Sequence, residues 1–136
     1  KADEAENPDI IIIEGQGALS HPAFSTSSFI LRGSCPTSVI LQHAPNRINR
    51  IDFPNMPIPS VASEINLIET FSDTSVIGLT LNHEDMSSDE VLTAMSGYSS
   101  ELGIPVTDVL SQPVEQLLQM VLSVYPPIAS KLVDKE

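Results

Sequence analysis

Four consecutive isoleucines at positions 10–13 limit the possible folds of this chain more than any other feature. An uninterrupted run of β-branched residues is typical of a strand buried on both faces of a parallel sheet, whereas a half-exposed strand alternates apolar and polar residues. The run stops at Glu14-Gly15, which indicates that a turn follows. The sequence therefore predicts a central parallel strand at 10–13.

The rest of the chain alternates between strand and helix patterns. Strand patterns lie at 38–42, 76–81 and 104–106, and helical patterns lie at 23–32, 61–71, 88–102 and 113–124. Residues 44–60 contain four prolines and no apolar period, so we predict a long ordered loop or a lid there. The alternation predicts an α/β fold with a doubly wound parallel sheet, right-handed crossovers and a single domain.

Local signals predict where the helices begin and end. Residues 87–90 have the pattern of a capping box, and Gly103 is placed to close the helix that follows. Gly33 predicts the end of the first helix, with a proline shortly after it. On the last helix, the apolar residues predicted to face the sheet are Val114, Leu117, Leu118 and Val121.

Open parallel sheets bind ligands beyond the carboxyl ends of their strands. In this chain the predicted strands are followed by polar or glycine-rich segments, at 14–17, 43–50, 82–83 and 107–108. Glu14 is placed to hold Mg²⁺ directly or through water, while Gly15 and Gly17 let the backbone approach a ligand closely. The alternative for Glu14 is a strand-ending acid that caps the next turn.

The charge of the chain argues against a nucleic-acid partner. Its formal net charge is −12 and its sequence pI is about 4.3, so it repels a phosphate backbone. Five of its basic and imidazole side chains nevertheless fall within one stretch: His21, Arg32, His43, Arg47 and Arg50. This stretch predicts a site for a small anionic molecule, although arginines scattered over the surface explain the pattern equally well.

Other features narrow the class of protein. No apolar run approaches the roughly 18–20 residues needed to span a bilayer, and the acidic start differs from a signal peptide, so we expect a cytoplasmic protein without membrane contact. Cys35 is the only cysteine, which excludes an internal disulfide and a cysteine-based zinc site. For His43 and His83, a hydrogen-bonded position in a loop is favoured over ligand binding.

Three segments resemble a bacterial and archaeal family long known only as a domain of unknown function. They run from Asp9 to Pro22, from Arg32 to Pro36 and from Gly103 to Asp108. In that family an N-terminal Rossmann-like domain precedes a C-terminal P-loop-type domain, and some members are D-glutamate N-acetyltransferases that use acetyl-CoA. The resemblance covers nearly the whole chain and is most specific in the Glu-Gly-Gln-Gly…His-Pro segment. A more distant likeness extends to dethiobiotin synthetase and the cobyrinic acid amide-forming enzymes.

The resemblance implies a fold and roles for several residues. The fold is a three-layer parallel sheet of P-loop NTPase type, with residues 1–136 forming the C-terminal part of one such domain. Glu14 matches the acid at the end of the metal-binding strand in P-loop proteins. Asn82 matches the residue that reads a purine base in the distant relatives. Gln16 and His21 belong to the signature of the family itself.

Two departures from the family pattern stand out. Asp108 fits the pattern, but Ser-Gln-Pro at 111–113 replaces the arginine usual a few residues later. No Gly-x-x-x-x-Gly-Lys-[Ser/Thr] loop occurs in the sequence, and in the family this phosphate loop and the first strand lie upstream. We therefore expect an incomplete sheet in a piece of a longer polypeptide. Its unpaired edge needs the missing N-terminal half or a partner chain of the same protein, as in a homo-oligomer.

These observations leave three functional hypotheses. The resemblance implies an N-acetyltransferase that uses acetyl-CoA and D-glutamate, with Glu14, Gln16 and His21 as catalytic residues and Glu14 or His21 as the base. Backbone N–H groups of Gly15 to Gly17 then stabilise the oxyanion. The residues predicted to contact anionic groups or ligand are Arg32, His43, Arg47, Arg50, Asn82 and Asp108. The second hypothesis is an ATP-dependent ligase or kinase-like enzyme with Mg²⁺, and the third is a non-catalytic nucleotide- or CoA-binding module.

Overall fold

The computed structural model describes residues 7–128. Its elements follow in the order α1 (Thr26–Ser34), β1 (Ser38–His43), β2 (Asn49–Arg50), β3 (Phe53–Pro57), α2 (Val61–Ser72), β4 (Ser75–Leu81), α3 (Ser88–Leu102), β5 (Val106–Thr107) and α4 (Val114–Val124). Helices and strands alternate along most of the chain, so the predicted α/β class is confirmed.

A parallel sheet with the strand order β1-β4-β5 forms the centre of the molecule. Leu41 of β1 lies beside Leu79 of β4, and Leu79 in turn pairs with Val106 of β5. The three strands run in the same direction and end at one edge of the sheet, which we call the carboxyl edge. There the backbone N–H of Asn82 donates to the carbonyl of His43 at 2.7 Å and extends the pairing beyond β4.

Helices pack on both faces of β4, the middle strand. Leu79 and Leu81 are almost fully buried and contact Val61 of α2 together with side chains of α3. Neighbouring residues of a strand point to opposite faces, and Gly78 accordingly faces the side chain of Met120 in α4. The result is a three-layer arrangement, with the sheet between helices, as the resemblance implied.

The predicted helices α2 and α3 are confirmed, including the signals at the ends of α3. The hydroxyl of Ser87 accepts a hydrogen bond from the N–H of Glu90, whose carboxylate accepts one from the N–H of Ser87 at 2.8 Å. Gly103 ends α3 with a φ of 67°, a conformation that costs glycine little. Among residues 7–128, no helix combines the length and apolar character needed to cross a membrane.

Two element boundaries differ from the prediction. Helix α1 ends at Cys35, which has a φ of 47°, and Gly33 lies inside the helix. The N–H of Cys35 still donates to the preceding turn, so the helix continues past the glycine. Strand β5 covers Val106–Thr107 instead of 104–106, because its pairing with β4 starts only at the carbonyl of Pro105.

The inner face of α4 also differs from the prediction. Met120 is the buried residue of this helix, whereas Val114 and Leu118, which were expected to face the sheet, are 62% and 45% exposed. Leu117 and Val121 are half-buried, so these two residues agree with the predicted inner face. Gly78 leaves a space on the sheet, and the helix is turned so that the flexible Met120 side chain fills it.

The predicted central strand at 10–13 is wrong for the described part of the chain. Residues 10–13 form no strand there, and their isoleucine side chains are 44–89% exposed. A strand needs a neighbouring backbone for its N–H and C=O groups, and between residues 7 and 128 the parallel sheet pairs only β1, β4 and β5. The isoleucine run therefore lies outside the sheet, with its apolar surface uncovered.

The proline-rich stretch at 44–60 is ordered, as predicted, but it is not only a loop. It contains an antiparallel hairpin of β2 and β3, in which Asn49 lies opposite Pro57 and Arg50 lies opposite Phe53. Proline lacks an N–H and is tolerated where a strand has a neighbour on one side only. The two-stranded sheet of this hairpin meets that condition, so the prolines do not prevent pairing.

Candidate functional site

The carboxyl edge of the sheet gathers most of the predicted site residues. Strand β1 ends at His43, β4 is followed by Asn82 and His83, and β5 is followed by Asp108. The loop between β1 and α2 and the segment before α1 approach the same edge, because both connect to helices that run back across the sheet. Segments distant in the sequence therefore lie at the same edge of the sheet.

A histidine–aspartate pair lies where β4 and β5 end. The Nδ1 atom of His83 is 2.5 Å from Oδ2 of Asp108. The same carboxylate accepts hydrogen bonds from the N–H of Leu110 at 3.0 Å and from the hydroxyl of Ser111 at 2.7 Å. Asp108 is fully buried, whereas the side chain of His83 is 36% exposed. The pair thus combines a fixed, buried carboxylate with an imidazole that reaches the surface.

Burial raises the pKa of the Asp108 carboxyl, because it removes water from the charged form. Hydrogen bonds from Ser111, Leu110 and His83, together with attraction to a charged His83, outweigh burial and hold this pKa below its ordinary value. Asp108 is therefore ionised at neutral pH. Its predicted contact with a ligand is replaced by the contact with His83, since no part of its side chain is exposed.

The glycine-rich loop is tied to the start of α1. The hydroxyl of Ser27 donates to the carbonyl of Gln16 at 3.1 Å and also to the carbonyl of Gly17. Gly17 has a φ of 81°, which strains any residue with a side chain. A shallow cleft beside the loop is lined by Gln16, Gly17, Phe24 and Thr26. The loop is thus held in place while one of its sides stays open.

Glu14 is exposed, and no hydrogen bond or ion pair connects it to another residue between 7 and 128. Within the same residues, no cluster of three or more His, Cys, Asp or Glu side chains is arranged to hold a metal ion. Magnesium usually keeps several waters and takes one or two carboxylates together with phosphate oxygens of a substrate. A single exposed carboxylate fits that type of site, and Mg²⁺ at Glu14 stays a prediction.

The backbone contacts of His21 leave its Nε2 atom as a hydrogen-bond donor. Its Nδ1 atom accepts hydrogen bonds from the backbone N–H groups of Ala23 and Phe24, both at 3.2 Å. A neutral imidazole carries one proton, so that proton is on Nε2, which can donate but not accept. The ring also stacks on Phe24, with centroids 4.5 Å apart. This geometry suits contact with a carboxylate or phosphate oxygen better than the predicted role as base.

Two buried charged residues clamp the segment that precedes His21. The Nη2 atom of Arg50 donates to the hydroxyl of Ser20 at 2.9 Å, and Oε1 of Glu64 accepts from the N–H of Ser20 at 3.1 Å. Arg50 and Glu64 are each 7% exposed, and neither Nε of Arg50 nor Oε2 of Glu64 has a hydrogen-bond partner among the described residues. Arg50, predicted to contact an anion, thus orders the loop that carries His21.

The other predicted residues of this edge contact protein groups. The Nε2 atom of His43 lies 3.0 Å from the hydroxyl of Tyr98, and burial lowers the pKa of His43, which disfavours its charged form. The Nε atom of Arg47 donates to Oε2 of Glu84 at 2.7 Å. The N–H of Glu84 donates to Oδ1 of Asn82 at 3.2 Å. Arg47 and Asn82 remain partly exposed, so both stay accessible to a ligand.

Arg32 does not belong to the carboxyl edge. It lies in the last turn of α1, and its guanidinium is 5.2 Å from the ring centroid of Phe71 in α2. The last turns of both helices precede strands β1 and β4, so they lie at the opposite edge of the sheet. The predicted anion cluster therefore does not include Arg32, because the length of strand β1 separates Arg32 from His43.

Sequence reasoning missed two residues of this edge, His83 and Glu64. The prediction treats His83 as an ordinary loop histidine. The available signal was its position directly after the predicted strand at 76–81, because the end of the predicted strand at 104–106 lies at the same edge of a parallel sheet. Glu64 lies on the buried side of α2 between Val61 and Ile68. An acid within an apolar helix face was the available signal there.

Comparisons with known proteins agree with this fold. A family model described as "Domain of unknown function (DUF1611_C) P-loop domain" matches residues 1–118. A Pseudoalteromonas protein named D-glutamate N-acetyltransferase is 32% identical over 121 residues, which cover 85% of this chain and 36% of that protein. A crystal structure of a DUF1611 family protein from Anabaena variabilis has a TM-score of 0.76 and 31% identity, covering 81% of this chain and 34% of that one. The chain spans about a third of the length of these relatives.

Proposed function

The chain belongs to the DUF1611 family, and from this premise we propose that it forms part of an N-acetyltransferase acting on D-glutamate or a related D-amino acid. Acetyl-CoA is the proposed acetyl donor. The observation that carries the proposal is the 32% identity to a D-glutamate N-acetyltransferase over 85% of this chain. The activity is proposed for the longest natural polypeptide that contains these residues, which we call the intact polypeptide.

The polar groups of the carboxyl edge support an anionic substrate. D-Glutamate carries two carboxylates, and CoA carries phosphate groups, so several donors are needed. The Nε2–H of His21 is one donor, and it is oriented by the two backbone contacts to Nδ1. Arg47 is a second, because its partly exposed guanidinium can exchange Glu84 for a ligand carboxylate or phosphate in a two-point contact.

The loop at 14–17 is the proposed position of the reacting acyl group. Gly15 and Gly17 have no side chain to keep a thioester from their backbone N–H groups, which are donors for a developing oxyanion. Glu14 and Gln16 are exposed on the same loop. We assign to Glu14 the binding of the positively charged amino group of the acceptor, either directly or with a metal ion.

Thiol release from acetyl-CoA tests this function. The intact polypeptide is assayed with D-glutamate, with L-glutamate and without an acceptor, and we expect release that requires D-glutamate. Loss of a charged hydrogen bond in Glu14→Gln is expected to lower kcat/KM roughly 10- to 100-fold, equivalent to about 1.5–3 kcal/mol. The control is Glu115→Gln, an exposed acid in the first turn of α4, which should leave the rate unchanged.

A nucleotide-dependent ligase or kinase-like enzyme is the second candidate, because the matching family model is described as a P-loop domain. In that reaction Glu14 binds Mg²⁺ and Asn82 contacts the adenine. Amino-acid-dependent release of ADP from ATP, without thiol release, would replace the acetyltransferase proposal with this one. Binding of CoA or ATP without turnover of either would instead favour a non-catalytic module.

A further inference from the structure

We propose that His83 is the general base of the reaction at the carboxyl edge and that Asp108 positions it. The inference rests on the proposed acyl transfer. It places the proton acceptor outside the Glu-Gly-Gln-Gly…His-Pro segment, because His83 follows β4 and Asp108 follows β5. Three observations carry it: the contact between the two side chains, the burial of Asp108, and the engagement of the other imidazoles.

The contact with Asp108 determines which nitrogen of His83 carries the proton. An ionised carboxylate only accepts hydrogen bonds, so the neutral imidazole has its proton on Nδ1, which lies 2.5 Å from Oδ2. The lone pair is then on Nε2, which has no hydrogen-bond partner among residues 7–128. A carboxylate on the far side of the ring also stabilises the imidazolium that forms when Nε2 takes up a proton.

The surroundings of Asp108 fix the orientation of its carboxylate and keep it out of reach of a ligand. Its side chain is fully buried, and Leu110 and Ser111 donate to its two oxygens. Its backbone carbonyl accepts a hydrogen bond from the N–H of Gln112 at 2.8 Å, which fixes the turn that carries the carboxylate. The carboxylate therefore has one orientation, and in that orientation Oδ2 contacts His83.

The other two histidines and Glu14 are less suited to accept a proton. The contacts of His21 leave its proton on Nε2, and the Nε2 atom of His43 is occupied by Tyr98. Glu14 is exposed and has no partner among the described residues that would orient it. Of the three histidines in the chain, His83 has an unoccupied nitrogen whose lone pair is directed by a fixed partner.

The proposed step balances in protons and electrons. The ammonium form of the acceptor first loses one proton to solvent, and the neutral nitrogen then attacks the carbonyl carbon of the thioester. The N–C bond forms while Nε2 of His83 removes a second proton from that nitrogen. Collapse of the tetrahedral intermediate breaks the C–S bond, and the imidazolium returns its proton to the departing thiolate. The products are an N-acetyl amino acid and a free thiol.

Three segments place charged residues at the carboxyl edge beside His83. Asp108 follows β5, Glu84 and Asp85 follow His83 in its own loop, and Arg47 comes from the loop after β1. Arg47 pairs with Glu84, so the charge of Glu84 is largely compensated. Among these charged groups, Asp108 is the one whose side chain contacts the imidazole of His83.

His83→Asn is the sharpest test, because the asparagine amide can still donate to Asp108 from the position of Nδ1 but has no second nitrogen. We expect kcat/KM to fall roughly 10²- to 10⁴-fold in the intact polypeptide. Asp108→Asn should cause a loss on a similar scale, since an amide donor at 108 favours the His83 tautomer with its proton on Nε2. The matched control is Asp73→Asn at the opposite edge, where asparagine tolerates the left-handed C-cap of α2 and activity should not change.

The pH profile distinguishes a base from a structural histidine. On the acidic side of the profile, log kcat/KM of the wild type should fall with decreasing pH about one unit per pH unit more steeply than that of His83→Asn. The reason is that the wild type needs a neutral imidazole as well as a neutral amine, whereas the variant needs only the neutral amine. An active wild type with unchanged kcat/KM or unchanged slope in His83→Asn overturns the role of His83 and leaves the proposed function standing. A wild type that releases no thiol with any amino acid overturns both.

Discussion

At the scale of single residues, Gly78 determines how closely α4 approaches the sheet. A Cβ atom at this position comes within 2.5 Å of the sulfur of Met120, whose side chain is 2% exposed. Interiors are packed so densely that such an overlap forces the surrounding groups to move. The space that glycine leaves on β4 is the space that Met120 occupies.

We expect Gly78→Ala to lower the free energy of unfolding by about 1–3 kcal/mol, because overpacking forces Met120 and α4 to shift. The matched control is Gly97→Ala in α3, where no atom lies within 4 Å of the added methyl group. There alanine stabilises the helix by roughly 0.5–1 kcal/mol relative to glycine. Urea unfolding of the two variants measures the difference, and equal stability would show that Met120 does not press on β4.

The buried position of His43 should make the stability of the folded protein depend on pH. Burial lowers the pKa of His43 in the folded state, while in the unfolded chain it titrates near an ordinary value of about 6.5. Below that pH the unfolded chain binds a proton at His43 more readily than the folded protein does. The free energy of unfolding is therefore highest above the unfolded pKa and decreases as pH falls through the folded pKa. We expect the melting temperature to drop on acidification from neutral pH, and to drop less in His43→Gln, which keeps a polar atom near Tyr98. Parallel curves for the two proteins would contradict the assignment.

At the scale of elements, the start of α3 is the best-defined helix end. Ser87 and Glu90 exchange hydrogen bonds across the first turn, and these bonds satisfy N–H groups that otherwise have no partner within the helix. Ser87→Ala is expected to reduce the free energy of unfolding by about 0.5–2 kcal/mol. The control is Ser96→Ala in the middle of the same helix, where alanine is the better helix former. A larger loss in the control would sink the capping interpretation, and urea unfolding measures both.

The same capping box predicts how this loss varies with pH. Hydrogen bonds from the side chain and backbone of Ser87 lower the pKa of Glu90, and the small burial effect opposes them. A carboxyl with a lowered folded pKa adds stability above its unfolded pKa, and the addition is lost as pH falls through the folded value. The destabilisation by Ser87→Ala should therefore shrink below about pH 4.3, the ordinary pKa of glutamate. A constant difference from neutral to acidic pH would count against the contact.

The predictability of the elements differs for a physical reason. Periodic apolar residues and caps indicated α2, α3, β1 and β4, because these signals act within a few residues. The hairpin of β2 and β3 gave no such signal. Its prolines are usual in loops, and only the pairing of Asn49 with Pro57 and of Arg50 with Phe53 makes it a sheet.

At the scale of the whole molecule, the exposed isoleucines at 10–13 and the length of the relatives both bear on whether another segment covers this run in the intact polypeptide. The chain spans about a third of the length of the related proteins. A continuous apolar run of this size is unusual on the surface of a monomeric protein. The prediction of a buried strand at 10–13, and of a missing half or partner chain beside it, therefore stays open for the intact polypeptide.

Hydrogen exchange tests that prediction. If the run pairs with another strand, the amide hydrogens of residues 10–13 should exchange slowly in the intact polypeptide, at rates close to those of β4. In the 136-residue chain alone they should exchange quickly, since no strand among residues 7–128 pairs with them. Fast exchange in both would mean that this run is not part of a sheet in either form.

The sequence by itself determined the α/β class, the parallel strands and the grouping of polar residues at their carboxyl ends, because apolar periodicity and strand direction are properties of short segments. Only the tertiary structure decided which of these residues meet. His83 and Asp108 are 25 positions apart, and Ser20 and Arg50 are 30 apart, so no local pattern contains their contacts. The structure also separated Arg32 from the edge and left residues 10–13 unpaired, because both outcomes depend on what the folded chain places beside them.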